Sequence, residues 1–509
     1  MLQREHHILA LAFDALHPQL QQLLSRLAAF RSKADYKMIS VISPFKNGGE
    51  LKRALRELIE RGLLFFDREQ AVFDLHPVVR QFAYTRLHHK QEIHAALANF
   101  FQSGSVIDLP KKGIEAPKRI GMLRAVSLAN GIASIDSIES LTPVIECYYH
   151  CMQAEQYDRA FEIYYQHLAY LLHHYLGAYP IIIELLQAFL DHKKALSRLE
   201  GEKQSWVLDA LANAYSASGY PERAVQLLND SIQIDRALGE KERLAAALWN
   251  LAVQQQVLGE LTASERSLQE CIATCQDSAD TFDEAKAHQY FALLRSYQGL
   301  FEEASQHLQC ALSLFKGIGA VPQEGAVWAY QGLCSLLAGK FPDALVAAQL
   351  ARELAEVRHY ERDIIRAEWL LGSISTRLAR VDAKRTEEHL QQAEWHLKEA
   401  LKRCRQIDMV DYEADLLLSW AHLHDAKGEK QLARASAMEA LAISNRSDFR
   451  VLRADVHNFL ALLEFEDGNR KEATRHAEAA LLDASCDGHS FCYQVALDEA
   501  RRLLYQAKG

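Results

Sequence analysis

A glycine returns every forty residues: Gly219, Gly259, Gly299 and Gly339, then Gly428 and Gly468. Between Gly339 and Gly428 lie 89 residues, two periods plus nine, and the extra nine fit an insertion around Val381–Glu388, where the unit expects a tight turn. Three further columns hold the same register. Seven residues before each glycine the side chain is small (Ala212, Ala252, Ala292, Gly332, Gly372, Ala421, Ala461). Five after it stand Ala224, Ser264, Ala304, Ala344, Ala393, Ala433 and Ala473. Twelve after it stand Ser231, Cys271, Ala311, Ala351, Ala400, Ala440 and Ala480. In the interrupted unit the first column counts from Ala379 and the other two from Glu388. A glycine can take the left-handed conformation that ends a helix, and small side chains at fixed positions let neighbouring helices approach closely. Leucines at helical spacing, such as Leu208, Leu211, Leu227 and Leu228, fill the seams between them. The pattern predicts an all-α array of about seven helix pairs over residues 203–487 within a 201–509 domain, capped by a helix at Ser490–Ala507.

The small-residue grammar resembles the tetratricopeptide repeat, an α-solenoid. That family's unit is usually about 34 residues, so each pair here is longer by about six. HEAT and armadillo repeats are nearer in length but do not demand three small columns. Upstream, Cys147–Leu168 and Tyr170–Leu190 look like degenerate hairpins of the same type, within a helical arm at 91–200. Such an array offers a long inner groove and brings no chemistry of its own.

Only 23 Gly and 10 Pro in 509 residues argue against a loop-rich β chain. No stretch approaches the ~20 apolar residues of a spanning helix, and Met1–His7 lacks the pattern of a secretory signal. Nine scattered cysteines are not a disulfide framework and point to a reducing cytoplasm, with no membrane partner. Residues 1–125 hold 19 Lys+Arg against 12 Asp+Glu, whereas the rest is strongly acidic. A basic head on an acidic body suggests two modules with different partners.

The head, residues 1–90, reads as helices at Ile8–Ala15, Pro18–Ala29, Tyr36–Ile42 and Gly49–Arg61, then a hairpin (Leu63–Asp67, Val72–Leu75) and a helix from Pro77. Three helices and a small β-hairpin make a winged-helix pattern. Within it, Leu75-His76-Pro77-Val78-Val79-Arg80-Gln81-Phe82-Ala83 follows Leu58-Ile59-Glu60-Arg61-Gly62-Leu63-Leu64. These runs, with Leu24–Arg31 and the order head, arm, repeats, resemble the C-terminal half of STAND (NB-ARC-type) signalling ATPases. The resemblance implies that the repeats act as sensor and brake on an ATPase that oligomerises when released. It also implies that His76 contacts the phosphate of bound ADP. No Gly-x-x-x-x-Gly-Lys-[Ser/Thr] motif is present, and the one Gly-Lys, Gly339-Lys340, lies inside a repeat. The ATPase domain would then come from upstream in a longer protein or from a partner in trans, and no cofactor is expected for this chain alone. His76 also has a plain reading as a helix cap.

Other motifs carry less. Lys52, Arg53 and Arg56 could meet DNA phosphates, as winged helices do, or simply form a solvated face. Cys486-x-x-His489-x-x-Cys492 offers three ligands where a structural zinc needs four. Cys147/Cys151 and Cys271/Cys275 read as core. His389 and His396 do not form a His-Glu-x-x-His motif, and His422 and His424 point about 200° apart on a helix. No catalytic constellation is found, so the chain is expected not to be an enzyme. Projecting the register onto the groove face of each first helix gives Asp209, Asn213, Trp249, Gln256, Gln289, Tyr297, Trp369, Arg377, His422 and Asn458. Aromatics interleaved with amides suit a protein or peptide ligand, along a groove expected to be acidic. The competing reading is a DNA-binding transcriptional regulator with a repeat sensor.

Overall fold

The computed structural model describes residues 9–104, 137–192, 194–357 and 361–508. Residues 105–136, inside the expected arm, and Met1–His7 lie outside that set. The chain divides into two compact units, residues 1–170 with 188–198, and 171–187 with 199–509.

In the first unit a helix at 9–14 leads to helix Pro18–Leu27, strand β1 (Ala34–Asp35), and helices Tyr36–Val41 and Gly48–Glu60. Strands β2 (Phe65–Asp67) and β3 (Val72–Asp74) follow, then helix Pro77–Thr85. Side chains cap the helices locally: Asp35 accepts from Met38 N at 2.8 Å and Asn47 from Glu50 N at 2.9 Å. Leu23, Ile39, Leu58 and Phe82 form the core beneath them. The hairpin is joined by a strand the sequence reading did not expect. β1 pairs antiparallel with β3, Ala34 opposite Phe73, giving the order β1-β3-β2. Two residues are too few for alternation to show in a sequence. Beyond the head, helix Lys90–Gly104 packs on Thr142–Gln153, and Tyr157–Ile163 continues into a π-helical segment at Tyr164–Leu168.

The second unit is the expected array. Seven helix pairs run Gly201–Ala217/Pro221–Leu238, Lys241–Val257/Leu261–Ser278, Thr281–Tyr297/Phe301–Gly317, Val321–Leu337/Phe341–Glu356, Glu361–Val381/Thr386–Gln406, Val410–Ala426/Lys430–Arg446 and Arg450–Glu466/Arg470–Ala484. The last helix is Gln494–Lys508. All six turn glycines are left-handed, with φ between 71° and 81°. Every alanine, serine and cysteine of the three small columns is at most 2% exposed, so the seams close where the sequence leaves room. A second left-handed column lies twenty residues after the first, at Gly239, Ala279, Gly319, Asp408, Asp448 and Gly488. The nine-residue insertion sits in neither turn alone. The first helix of that pair runs to Val381 and the second begins at Thr386, so each gains about one turn.

Successive first helices pack on one another, and successive second helices make no comparable contact among the described residues, so the first helices line the inner wall. The array also meets itself. First helices five repeats apart touch, pair one against pair six and pair two against pair seven. A β-carbon on Gly219 would fall 2.7 Å from Val410 Cγ1, and one on Gly259 would fall 2.8 Å from Arg450 Cδ. The turn glycines of the first pairs therefore serve a second purpose, admitting the next superhelical turn.

Candidate ligand groove on the inner wall

The groove residues chosen from the sequence do not share one fate. Gln256, Gln289 and Asn458 are buried among helices. Gln256 donates to Ser264 Oγ and Tyr290 O at 3.1 and 3.0 Å, and Asn458 donates to Ala496 O at 2.9 Å. The other seven are half-buried. Asp209 and Asn213 lie on the first pair, where burial, reinforced by Asp235, pushes the Asp209 carboxyl up to about 7.

Five pairs contribute to one aromatic and cationic tract. Trp249 donates to Asp283 Oδ1 at 3.2 Å and stacks on Tyr290, ring centres 5.5 Å apart. Tyr290 meets Tyr330 edge-on at 5.4 Å, and the Arg366 guanidinium covers both Tyr330 and Tyr412. Trp369 packs edge-on to Tyr412 at 5.9 Å and donates to Ser419 Oγ. Lys286 lies 5.9 Å from the Trp249 ring centre, and burial pulls its ammonium down to about 8. Arg362 binds Asp411 at 2.7 Å.

Two smaller groups complete the wall. Tyr297 meets Tyr493, the residue just before the last helix, at 5.0 Å, and Tyr493 donates to Asp455 at 3.1 Å. Arg377 bonds His422 at 3.3 Å, and His422 packs on Phe459 at 4.4 Å. Burial, then the charge of Arg377, holds the His422 imidazole far below its usual range.

The groove is thus not simply acidic, because Lys286, Arg362, Arg366 and Arg377 share it with Asp283, Asp411, Asp415 and Asp455. Several of these sit in a column that sequence projection missed. Thirteen residues before the turn the chain carries Trp206, Ala246, Lys286, Ala326, Arg366, Asp415 and Asp455. No one residue type or charge fills the column, so only geometry reveals it as inward-facing.

His76 is exposed and caps helix Pro77–Thr85, its Nδ1 3.4 Å from Val78 N. His17 does the same before Pro18, also at 3.4 Å. Capping thus accounts for the residue without a nucleotide. Lys52, Arg53 and Arg56 are exposed on one face of helix Gly48–Glu60, whose other face buries Leu51, Ala54, Leu55 and Leu58. The Cys486–Cys492 segment turns out to be a clasp within the second unit. Asp487 Oδ2 accepts from Thr262 N at 2.7 Å, and Gln298 donates to Ser490 O at 2.7 Å. All nine cysteines are free. Among the described residues no group of three His, Cys, Asp or Glu side chains could hold a metal, and no helix is long and apolar enough to cross a membrane.

No family model matches the chain, and no curated protein matches it. Among solved structures it is similar to a STAND protein with a tetratricopeptide repeat sensor from Pyrococcus horikoshii, at 16% identity and TM-score 0.44. That alignment covers 97% of this chain and 66% of the other, so the chain spans just under two thirds of that protein's length. It is also similar to the Rap conjugation gene regulator of plasmid pLS20, at 11% identity and TM-score 0.45, covering 84% of this chain and 96% of that one. A Rap protein solved with competence and sporulation factor aligns at 12% identity and TM-score 0.50, over 72% of this chain and 99% of that one. At such identities the likeness is one of fold, and together with the helix pairs above it makes the chain an all-α, tetratricopeptide-like solenoid.

Proposed function

We propose that the chain is a non-catalytic sensor that binds a protein or peptide segment along the inner wall of its repeat array. The observation that carries the reading is the wall itself. Half-buried Trp249, Tyr297, Trp369 and Arg377 alternate with amides and carboxylates on helices held in register. Aromatic and arginine side chains in a partly desolvated groove are those that dominate protein–protein affinity. The Rap protein of similar fold, solved with competence and sporulation factor, agrees with a repeat array that holds a ligand. Residues 1–90 are read as a winged-helix domain, 91–200 as an arm and 201–509 as the sensor of a STAND-type signalling system. An ATPase domain supplied upstream or by a partner would be the component the sensor restrains, with His76 turned to its nucleotide.

Selection of displayed random peptides on the full chain tests the reading. Selected peptides should bind at equilibrium and lose at least tenfold in affinity when Trp249 and Trp369 are both replaced by Ala, about 1.4 kcal/mol or more. Failure to select any binder would contradict it. Calorimetry of the chain with ADP or ATP should show no heat of binding.

The exposed basic face of helix Gly48–Glu60 supports a second reading, in which the head binds DNA. If Lys52, Arg53 and Arg56 each neutralise one phosphate, log affinity should fall with log salt at a slope of about −3. Binding unaffected by removing these three charges would dismiss it.

A further inference from the structure

We propose that Asp415 and Asp455 form the seat for a positively charged ligand group, an ammonium or guanidinium, where the last two repeats meet the terminal helix. The inference deepens the inner-wall reading and rests on it. The two aspartates hold the same register position, thirteen before the turn, on the first helices Val410–Ala426 and Arg450–Glu466, which pack side by side. Tyr297 and Tyr493 stand beside them with ring centres 5.0 Å apart. Aromatic faces next to carboxylates are what a desolvated cation needs.

Donors and acceptors do not balance here. Asp455 receives one hydrogen bond, from Tyr493. Among the described residues the Asp415 carboxylate has no hydrogen-bond or ion-pair partner, and the charges that reach it are those of Asp455 and Asp411, both repulsive. Asn458, one turn along the same helix face as Asp455, is only 6% exposed. Its amide nitrogen is used on Ala496 O, and its carbonyl oxygen is buried with no partner. Unspent acceptors therefore gather here: the Asp415 carboxylate, one oxygen of Asp455 and Asn458 Oδ1. Arg377 lies near enough for its charge to favour ionised Asp455, and one of its N–H groups is used on His422. Buried polar groups ordinarily find partners, and a half-buried carboxylate left among like charges is costly. A group with several N–H donors and a positive charge would satisfy Asp415, Asp455 and Asn458 together.

Burial first, and Asp455 second, push the Asp415 carboxyl up to about 8; burial, opposed by the Tyr493 hydrogen bond, raises Asp455 to about 7. A bound cation would ionise both, so binding near pH 7 should release protons.

The test selects twelve-residue displayed peptides with free amino termini, in parallel, on the full chain and on a D415N/D455N variant. The wild-type chain should enrich peptides carrying Lys, Arg or a required free amino terminus. A synthetic peptide from that pool should bind the variant at least tenfold more weakly. Replacing its cation with norleucine or citrulline, or acetylating its terminus, should cost a similar factor on the wild-type chain and little on the variant. That ligand-side comparison holds even if the double variant folds poorly. Enriched peptides without a cation, or cationic peptides that bind both chains equally, would overturn the seat while leaving peptide binding intact. No enrichment on either chain would instead overturn the inner-wall reading, and the seat with it.

Discussion

A β-carbon on Gly372 would meet Leu397 Cγ at 2.6 Å, whereas one on Gly332, in the same column of a neighbouring repeat, would meet Ala344 O at 3.4 Å. Gly332→Ala should therefore be neutral or gain up to about 1 kcal/mol of helix propensity, and Gly372→Ala should lose about 1–3 kcal/mol to overpacking. Chemical denaturation of the two variants checks both signs, and equal losses would mean the column does not mark a close approach. The buried carboxylates give a second residue-scale expectation. Asp415 has a folded value near 8, above its unfolded one, so its contribution is present while it stays protonated at low pH and is lost as pH rises through 8. D415N should raise the melting temperature at pH 9 and leave it unchanged near pH 3.5. An unchanged difference across that range would show that the side chain is not desolvated. The histidine pairs act in the opposite direction. His288 and His307 meet at 2.8 Å, and His457 and His476 meet at 2.9 Å in the same register of another repeat. Burial, with each partner's charge adding, lowers His307 and His457 to about 4. Their contribution is complete above pH 6.5 and is lost as pH falls towards 4.

The forty-residue unit is a pair of roughly seventeen-residue helices joined by two short turns, and its seams were legible because small side chains are rare enough to form visible columns. Replacing Ala304 or Ala433 with Leu should cost about 1–3 kcal/mol, because both are fully buried. The same change at exposed Glu302 should stay within about 0.5 kcal/mol. Equal effects in urea unfolding would break the register. Other features left no such mark. The second turn column accepts Gly, Ala and Asp alike, so its period is hidden in composition. β1 is two residues long and exists only because β3 is beside it. The insertion lengthens two helices by a turn each, which a helical pattern absorbs without a break. The inward column at Lys286, Arg366, Asp415 and Asp455 is defined by curvature, a property of stacked pairs that no single pair encodes. The sequence projection found neighbouring columns instead, and three of its residues, Gln256, Gln289 and Asn458, proved to be buried between helices.

At the scale of the whole repeat array, contact between pairs five apart turns a row of hairpins into a superhelix braced against itself. Gly259 and Gly339 separate that brace from ordinary turn strain. Both are left-handed, but a β-carbon on Gly259 would strike Arg450 and Cys486, while one on Gly339 would meet nothing within 4 Å. Gly339→Ala should cost only the ~1 kcal/mol of αL strain, and Gly259→Ala should cost clearly more. Equal costs would mean the two turns do not touch in solution. Ligand on the inner wall would show in hydrogen–deuterium exchange of the full chain with and without a selected peptide. Protection is expected on the first helices of pairs two to seven, centred on Trp249, Tyr297, Trp369 and Asp455, with the second helices unchanged. Protection confined to the second helices or to residues 9–104 would contradict it.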